Sequence, residues 1–117
     1  MSGYWLYILA SRPGGALYVG VTNDLSRRTW EHKQGKGGLH TRRYRIDRLV
    51  YYEPYDDVRL ALQRERNMKH WPRAWKCNLI LAFNPTWEDL YETLAGTREL
   101  LPIEVAGTSP AMTPEVG

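Results

Sequence analysis

Hydrophobic and polar positions along this chain fall into short blocks separated by turn residues. Residues 4–10, Tyr-Trp-Leu-Tyr-Ile-Leu-Ala, form an uncharged run rich in β-favouring side chains, which predicts a strand. Ser11-Arg12-Pro13-Gly14-Gly15 has turn chemistry, and Ala16 to Thr22 predicts a second strand, so the two form a hairpin. Both strands are apolar on both faces, which puts the hairpin in the middle of the domain. A hairpin centred between Arg12 and Pro13 would set Tyr7 directly opposite Tyr18, both phenols on one face.

The period then changes. Asn23 or Asp24 is a fair N-cap for a helix running to about Gln34, ended by Gly35, Gly37 and Gly38. Gly37 to Arg45 reads as a basic loop, and Arg48 to Glu53 as a third strand closed by Pro54. Asp56 or Asp57 caps a second helix reaching about His70, and Pro72 opens a third to about Ala82. Asn84-Pro85 breaks that helix, after which Thr86 can cap a short helical stretch from Trp87 to about Leu94. The order β-β-α-β-α-α predicts an α/β fold with a three-stranded, mostly antiparallel sheet flanked by helices. No period survives beyond Gly96, so the expectation is one domain over 1–95 and a flexible acidic tail over 96–117.

Composition narrows the class. The chain has 117 residues, enough for one compact domain. No apolar run is long enough to cross a membrane, and Met1-Ser2-Gly3-Tyr4 lacks a signal-peptide layout. Cys77 is the single cysteine, which excludes an internal disulfide and a cysteine zinc site. A soluble, reduced, cytoplasmic protein is expected. The net charge of +3 hides an asymmetry: between Arg27 and Arg48 eight Lys/Arg face only Glu31 and Asp47, while the acids gather after Asn84. A basic zone of this density suits a polyanion, because phosphate neutralisation releases counterions. Arg27, Lys33, Lys36, Arg42, Arg43 and Lys69 are the expected nucleic-acid contacts.

Five residue positions carry candidate chemistry. Tyr7 and Tyr18 share a sheet face, and Gly20, two residues past Tyr18 on that face, leaves open space there. On the first helix Leu25, Arg28, Thr29 and His32 fall on an inward stripe, where polar groups need a reason. A phosphate supplies one, since Arg offers it bidentate donors. On the second helix Glu65 occupies a position of the apolar stripe made by Val58, Ala61, Leu62 and Met68. A lone inward carboxylate suits Mg²⁺, which takes one or two protein carboxylates together with waters and phosphate oxygens. The plainer readings are a core aromatic pair, an ordinary surface helix, and a salt bridge from Glu65 to Arg28 or another base.

Taken together, Trp5-Leu6-Tyr7, Tyr18-Val19-Gly20, Thr22 to Arg28, Glu31-His32-Lys33 and the helical Glu65 resemble the GIY-YIG endonuclease superfamily. The likeness is greatest to its small stand-alone bacterial members, whose pattern Trp75-Lys76 and Asn84 to Leu90 also resemble. Trp5 and Val19 depart from the name-giving motifs at positions without chemistry. The resemblance implies metal-dependent hydrolysis of phosphodiester bonds, with Tyr18 as general base or phenolate relay and Tyr7 orienting water or phosphate. It further implies Arg28 stabilising the pentacovalent phosphate, His32 assisting proton transfer, and Glu65 holding Mg²⁺, or Mn²⁺ in its place. Asn78 or Asn84 would correspond to a late asparagine near the metal. The expected partner is DNA in preference to RNA, single-stranded or structured, in repair, recombination or processing, with no membrane partner. The alternative is a non-catalytic nucleic-acid-binding module on the same fold.

Overall fold

The computed structural model describes residues 3–94. The expected acidic tail therefore lies outside the described residues. Three strands, β1 (Tyr4–Ala10), β2 (Leu17–Thr22) and β3 (Arg48–Tyr55), form one sheet in the order β2-β1-β3, antiparallel throughout. Four helices accompany them: α1 (Leu25–Lys33), α2 (Leu39–Arg43), α3 (Val58–Lys69) and α4 (Arg73–Phe83). The expected order holds, with α2 added inside the segment expected to be a loop. Of the hairpin only β1 is central; β2 is an edge strand.

The hairpin turn sets the register. Gly15 N–H donates to the Arg12 carbonyl at 2.9 Å, and Gly14 has φ +72, so Pro13-Gly14 are the central pair of a type II turn. That moves the hairpin centre one residue beyond the expected point. Tyr7 pairs with Gly20 and Tyr18 with Leu9, so the two tyrosines are diagonal neighbours instead of facing partners. They remain on one face, because a shift of this kind changes the pair sum by two.

Alternation along β1 divides the core. Leu6, Ile8 and Ala10 point to one face, where Met68 of α3 and Ile80 of α4 cover them. Tyr7 and Leu9 point to the other, packed with Leu25 of α1, Ile46 and Leu49. The β1–β3 register shifts between Ile8 and Leu9, which lets Val50 and Tyr51 both join the first face. Strand β3 runs on through Pro54, whose missing N–H is tolerated on an edge strand.

Caps decide the open boundaries. Asp24 caps α1 by accepting from Arg27 N–H at 3.2 Å, and Asp57 caps α3 by accepting from Arg59 N–H at 2.9 Å. The stripe expected on α3 is shifted: Ala61 and Met68 are buried while Leu62 is exposed. The last helical stretch starts later than expected, covering 91–94 among the described residues, and its first turn is capped by Asp89, which accepts from Tyr91 N–H at 3.1 Å. Thr86 plays no part in it; Trp87 sits at φ +57 and breaks the helical path.

Residues 84–90 clasp the outer edge of β3. Asn84, 5% exposed, donates through Nδ2 to the carbonyls of Val50 (3.2 Å) and Glu88 (2.8 Å) and accepts from Glu88 N–H at 3.1 Å. Asp89 accepts from Leu49 N–H at 3.2 Å and pairs with Lys33 of α1. Replacing Asn84 with Ala leaves the Val50 carbonyl and the Glu88 amide without partners. We expect a loss of about 1–3 kcal/mol, measured as a lower urea midpoint with an unchanged slope.

Candidate active site

Tyr7 stands at the centre of the sheet and is 1% exposed. Its ring lies across Gly20 of the neighbouring strand: a Cβ built there would fall 2.6 Å from the phenol oxygen and 2.7 Å from Cζ. The expected open space beside Tyr18 is thus filled by Tyr7 itself, and the glycine is what admits it. Tyr18, half-buried, follows diagonally with its ring centroid 6.3 Å from that of Tyr7.

Helix α1 brings the basic partners over these phenols. Leu25, Thr29 and His32 form its buried stripe, with Arg28 partly exposed beside them. His32, 3% exposed, has Nε2 3.3 Å from the Tyr7 hydroxyl, and its ring centroid is 5.4 Å from that of Tyr18. Its Nδ1 lies 3.2 Å from Thr41 Oγ1 on α2. Arg28 donates to Glu31 at 3.0 Å and to the Gly37 carbonyl at 3.1 Å, and its charge acts on Tyr7.

Helix α3 touches both β1 and β2, and its C-terminal half delivers Glu65 and Lys69 to the phenols. The Lys69 ammonium is 6.0 Å from the Tyr18 ring centroid, and the Glu65 charge acts on Tyr7. Glu65 pairs with Lys69 at 3.1 Å and not with Arg28. The pair is one helical turn apart, and the Lys69 side chain is 49% exposed, so a cation or phosphate can displace it at little cost.

Burial sets the protonation states. Desolvation, only partly offset by the Arg28 hydrogen bond, pushes the Tyr7 phenol up to about 12. Desolvation, aided by the Arg28 charge, pulls His32 down from 6.5 to about 4, so its imidazole is neutral at pH 7. Burial works against the Arg28 charge, but the hydrogen bonds to Glu31 and Tyr7 outweigh it and raise its pKa. The result is a neutral base hydrogen-bonded to a phenol, beside a fixed positive charge.

The remaining expected contacts are scattered. Arg27 is largely exposed and pairs with Glu31 at 3.3 Å. Lys36 and Arg43 lie over the exposed rings of Trp30 and Tyr44, at 5.6 and 5.8 Å from their centroids. Arg42 lines a cavity of about 310 Å³ beside His32 and Thr41. Lys33 is engaged internally, donating to the Asp47 carbonyl at 2.9 Å and to Asp89. Asn84 serves the β3 clasp, and Asn78 is exposed on α4. Sequence reasoning missed Gly37 and Thr41. The glycine run ending α1 was the available signal: a Cβ at Gly37 would fall 2.0 Å from His32 Nδ1, so that backbone lies flat on the imidazole.

Two phenols, a guanidinium and a neutral imidazole share one sheet face of this α/β domain, and a carboxylate on α3 acts on the central phenol. The family model described as the GIY-YIG catalytic domain matches residues 3–78, a span that holds all five groups. The chain belongs to the GIY-YIG family, a nuclease family whose members generally use a divalent metal. It is 40% identical over 73 residues to a UPF0213 protein of Bacillus pumilus, covering 62% of this chain and 74% of that one. It is 35% identical over 80 residues to a UPF0213 protein of Staphylococcus saprophyticus, covering 68% and 96%. The solution NMR structure of a UPF0213 protein from Bacillus halodurans is 31% identical, with a TM-score of 0.47 over 74% of this chain and 90% of that one.

Two outcomes follow from this geometry. In the unfolded chain a histidine binds its proton below about pH 6.5, whereas folded His32 stays neutral down to about 4. The unfolded state then binds more protons in that window, so His32 makes stability fall as pH drops from 6.5 towards 4 and contributes no slope above it. NMR titration of His32 should give a midpoint near 4, and His32→Gln should remove its share of the acid slope. Gly20→Ala, which drives a methyl group into Tyr7, should cost about 1–3 kcal/mol in chemical denaturation.

Proposed function

We propose that the protein is a divalent-metal-dependent endonuclease that hydrolyses phosphodiester bonds in DNA, single-stranded or structured, in repair, recombination or processing. The observation that carries this reading is the convergence of Tyr7, Tyr18, Arg28 and His32, drawn from two strands and α1, on one sheet face, with the charge of Glu65 on α3 acting on Tyr7.

The cation has a place that suits it. Among the described residues no cluster of three or more His, Cys, Asp or Glu could cage a metal, which argues against a site built from protein ligands alone. One partly buried carboxylate with an exposed, displaceable lysine fits Mg²⁺ or Mn²⁺, which keep waters and share phosphate oxygens. Glu65 would hold the cation, and the bound ion would stabilise charge on the phosphate.

The chain's own groups divide the remaining work. Neutral His32 has Nε2 3.3 Å from the Tyr7 hydroxyl, and this pair, more than Tyr18, is proposed as the proton relay for the attacking water. With the phenol raised to about 12 and the imidazole lowered to about 4, the proton stays on Tyr7 in the resting site, and the Arg28 charge is what favours the phenolate there. Arg28, already oriented by Glu31 and the Gly37 carbonyl, donates to the non-bridging oxygens as charge develops. Tyr18, between His32 and Lys69, orients the water or the phosphate. Arg27, Lys36, Arg42 and Arg43 hold the nucleic-acid backbone nearby.

Purified protein incubated with labelled single-stranded, flap and duplex DNA in Mg²⁺ or Mn²⁺ should cut at least one form, and EDTA should abolish cutting. Tyr7→Phe, Arg28→Lys and Glu65→Gln, each checked for folding by circular dichroism, should lose about 10²–10⁴-fold in rate. Salt-sensitive binding that survives Glu65→Gln, with no cleavage by the unsubstituted protein, would establish the non-catalytic binding module instead.

A further inference from the structure

Thr41 has no place in the roles above, yet it is 3% exposed and its hydroxyl sits between two groups of the site. Oγ1 is 3.2 Å from His32 Nδ1 and 3.3 Å from the Gly38 carbonyl oxygen. A hydroxyl carries one proton, and a carbonyl can only accept. The Thr41 proton therefore goes to Gly38, and the side it turns to His32 is a lone pair. Nδ1 must then carry the single proton of the neutral imidazole, which leaves Nε2 bare and facing the Tyr7 hydroxyl 3.3 Å away.

The opposite assignment does not balance. With Nε2 protonated, the Tyr7 oxygen would accept from His32, and the phenol proton would find no acceptor there. The Gly38 carbonyl would also lose the hydroxyl.

We infer that Thr41 is a positioning residue that locks His32 in its Nδ1–H tautomer and so presents Nε2 as the acceptor of the Tyr7 proton. This rests on the nuclease reading for its catalytic consequence, though not for the tautomer itself. The backbone around Thr41 is built to hold it. Gly38 adopts φ +135, a conformation open to glycine, and its carbonyl also takes Arg42 N–H at 3.1 Å. The Thr41 backbone carbonyl accepts Ile46 N–H at 2.8 Å, tying α2 to the entry of β3. The cavity of about 310 Å³ lined by His32, Thr41, Arg42 and Arg45 opens on this side of the ring. Without the hydroxyl, water from it can reach Nδ1 as donor or acceptor alike, and the tautomer preference is lost.

The test uses the full chain labelled with ¹⁵N-histidine. Three histidines are present, His32, His40 and His70, and His32→Gln identifies the His32 signals in long-range ¹H–¹⁵N spectra near neutral pH. The unsubstituted protein and Thr41→Ser should both show protonated Nδ1 and bare Nε2; Thr41→Val should show a mixture or the reverse. On a cleavable substrate Thr41→Val should lower kcat about 10- to 100-fold with KM changed less than about twofold, and Thr41→Ser should restore most of it. Protonated Nε2 in the unsubstituted protein overturns the inference outright, whether or not Thr41→Val folds. So does an unchanged tautomer in folded Thr41→Val, or a serine variant no better than valine. A protein that cuts no DNA yet shows the expected tautomers would overturn the nuclease reading and leave the tautomer assignment standing.

Discussion

The molecule depends on a hydrogen bond placed where an apolar contact would be the easier choice, between the phenol of the central strand and the imidazole of the first helix. Both side chains are almost wholly removed from water. A buried polar pair of this kind is tolerable only when every lone pair and proton has a partner, since each orphan costs about 1–3 kcal/mol. The surrounding backbone supplies that closure. Gly20 makes room for the Tyr7 ring, Gly37 makes room for the His32 ring, and the Gly38 carbonyl ends the chain of donors. Three glycines with separate positions thus serve one constraint.

Charge in the site follows the opposite rule. Arg28 and Glu65 each have a partner, Glu31 and Lys69, that is nearby on its own helix and partly open to solvent. Such pairs are worth little in water and exchange easily. The neutral groups are therefore locked in place while the charged groups can change partners. On the proposed reading, an arriving phosphate would meet a guanidinium already aimed by a carbonyl, and an arriving cation a carboxylate whose lysine can swing away. The basic residues divide along the same line: Lys33 is tied into the β3 clasp, whereas Lys36 and Arg43 lie over exposed Trp30 and Tyr44 and present cation and ring together. That combination suits stacking and phosphate contact on a nucleic-acid strand.

Much of this was legible in the residues themselves. The period-2 and period-3.6 blocks located the three strands and the principal helices, and the resemblance to the GIY-YIG superfamily singled out Tyr7, Tyr18 and His32, which the fold brings side by side. What escaped was set by local backbone geometry. The hairpin register turned on which residues of Arg12-Pro13-Gly14-Gly15 occupy the turn centre, and composition does not distinguish the two choices until Gly14 is seen at positive φ. Helix α2 has only five residues and no capping side chain, so neither periodicity nor caps announce it. Asn84 read as a metal-site candidate because its chemistry is compatible with both uses. Only its three bonds, all made with backbone groups, assign it to the β3 edge.

The division of His32 and Lys33, adjacent in sequence, shows how the site and the fold share one helix. Successive residues of a helix point about 100° apart. His32 therefore turns under the sheet to Tyr7 while Lys33 turns sideways to Asp89 and the Asp47 carbonyl. The clasp built on Asp89 and Asn84 closes the β3 edge and at the same time fixes the last turn of α1, where His32 sits. Asp89, nearly sixty positions away in the chain, thereby contacts the residue next to His32. A helix anchored only by its own apolar stripe, Leu25 and Thr29, would be free to rock about its axis. Lys33, bonded to the Asp47 carbonyl as well as to Asp89, ties the C-terminal end of α1 to two separate segments, beside the 3.3 Å contact of His32 with Tyr7.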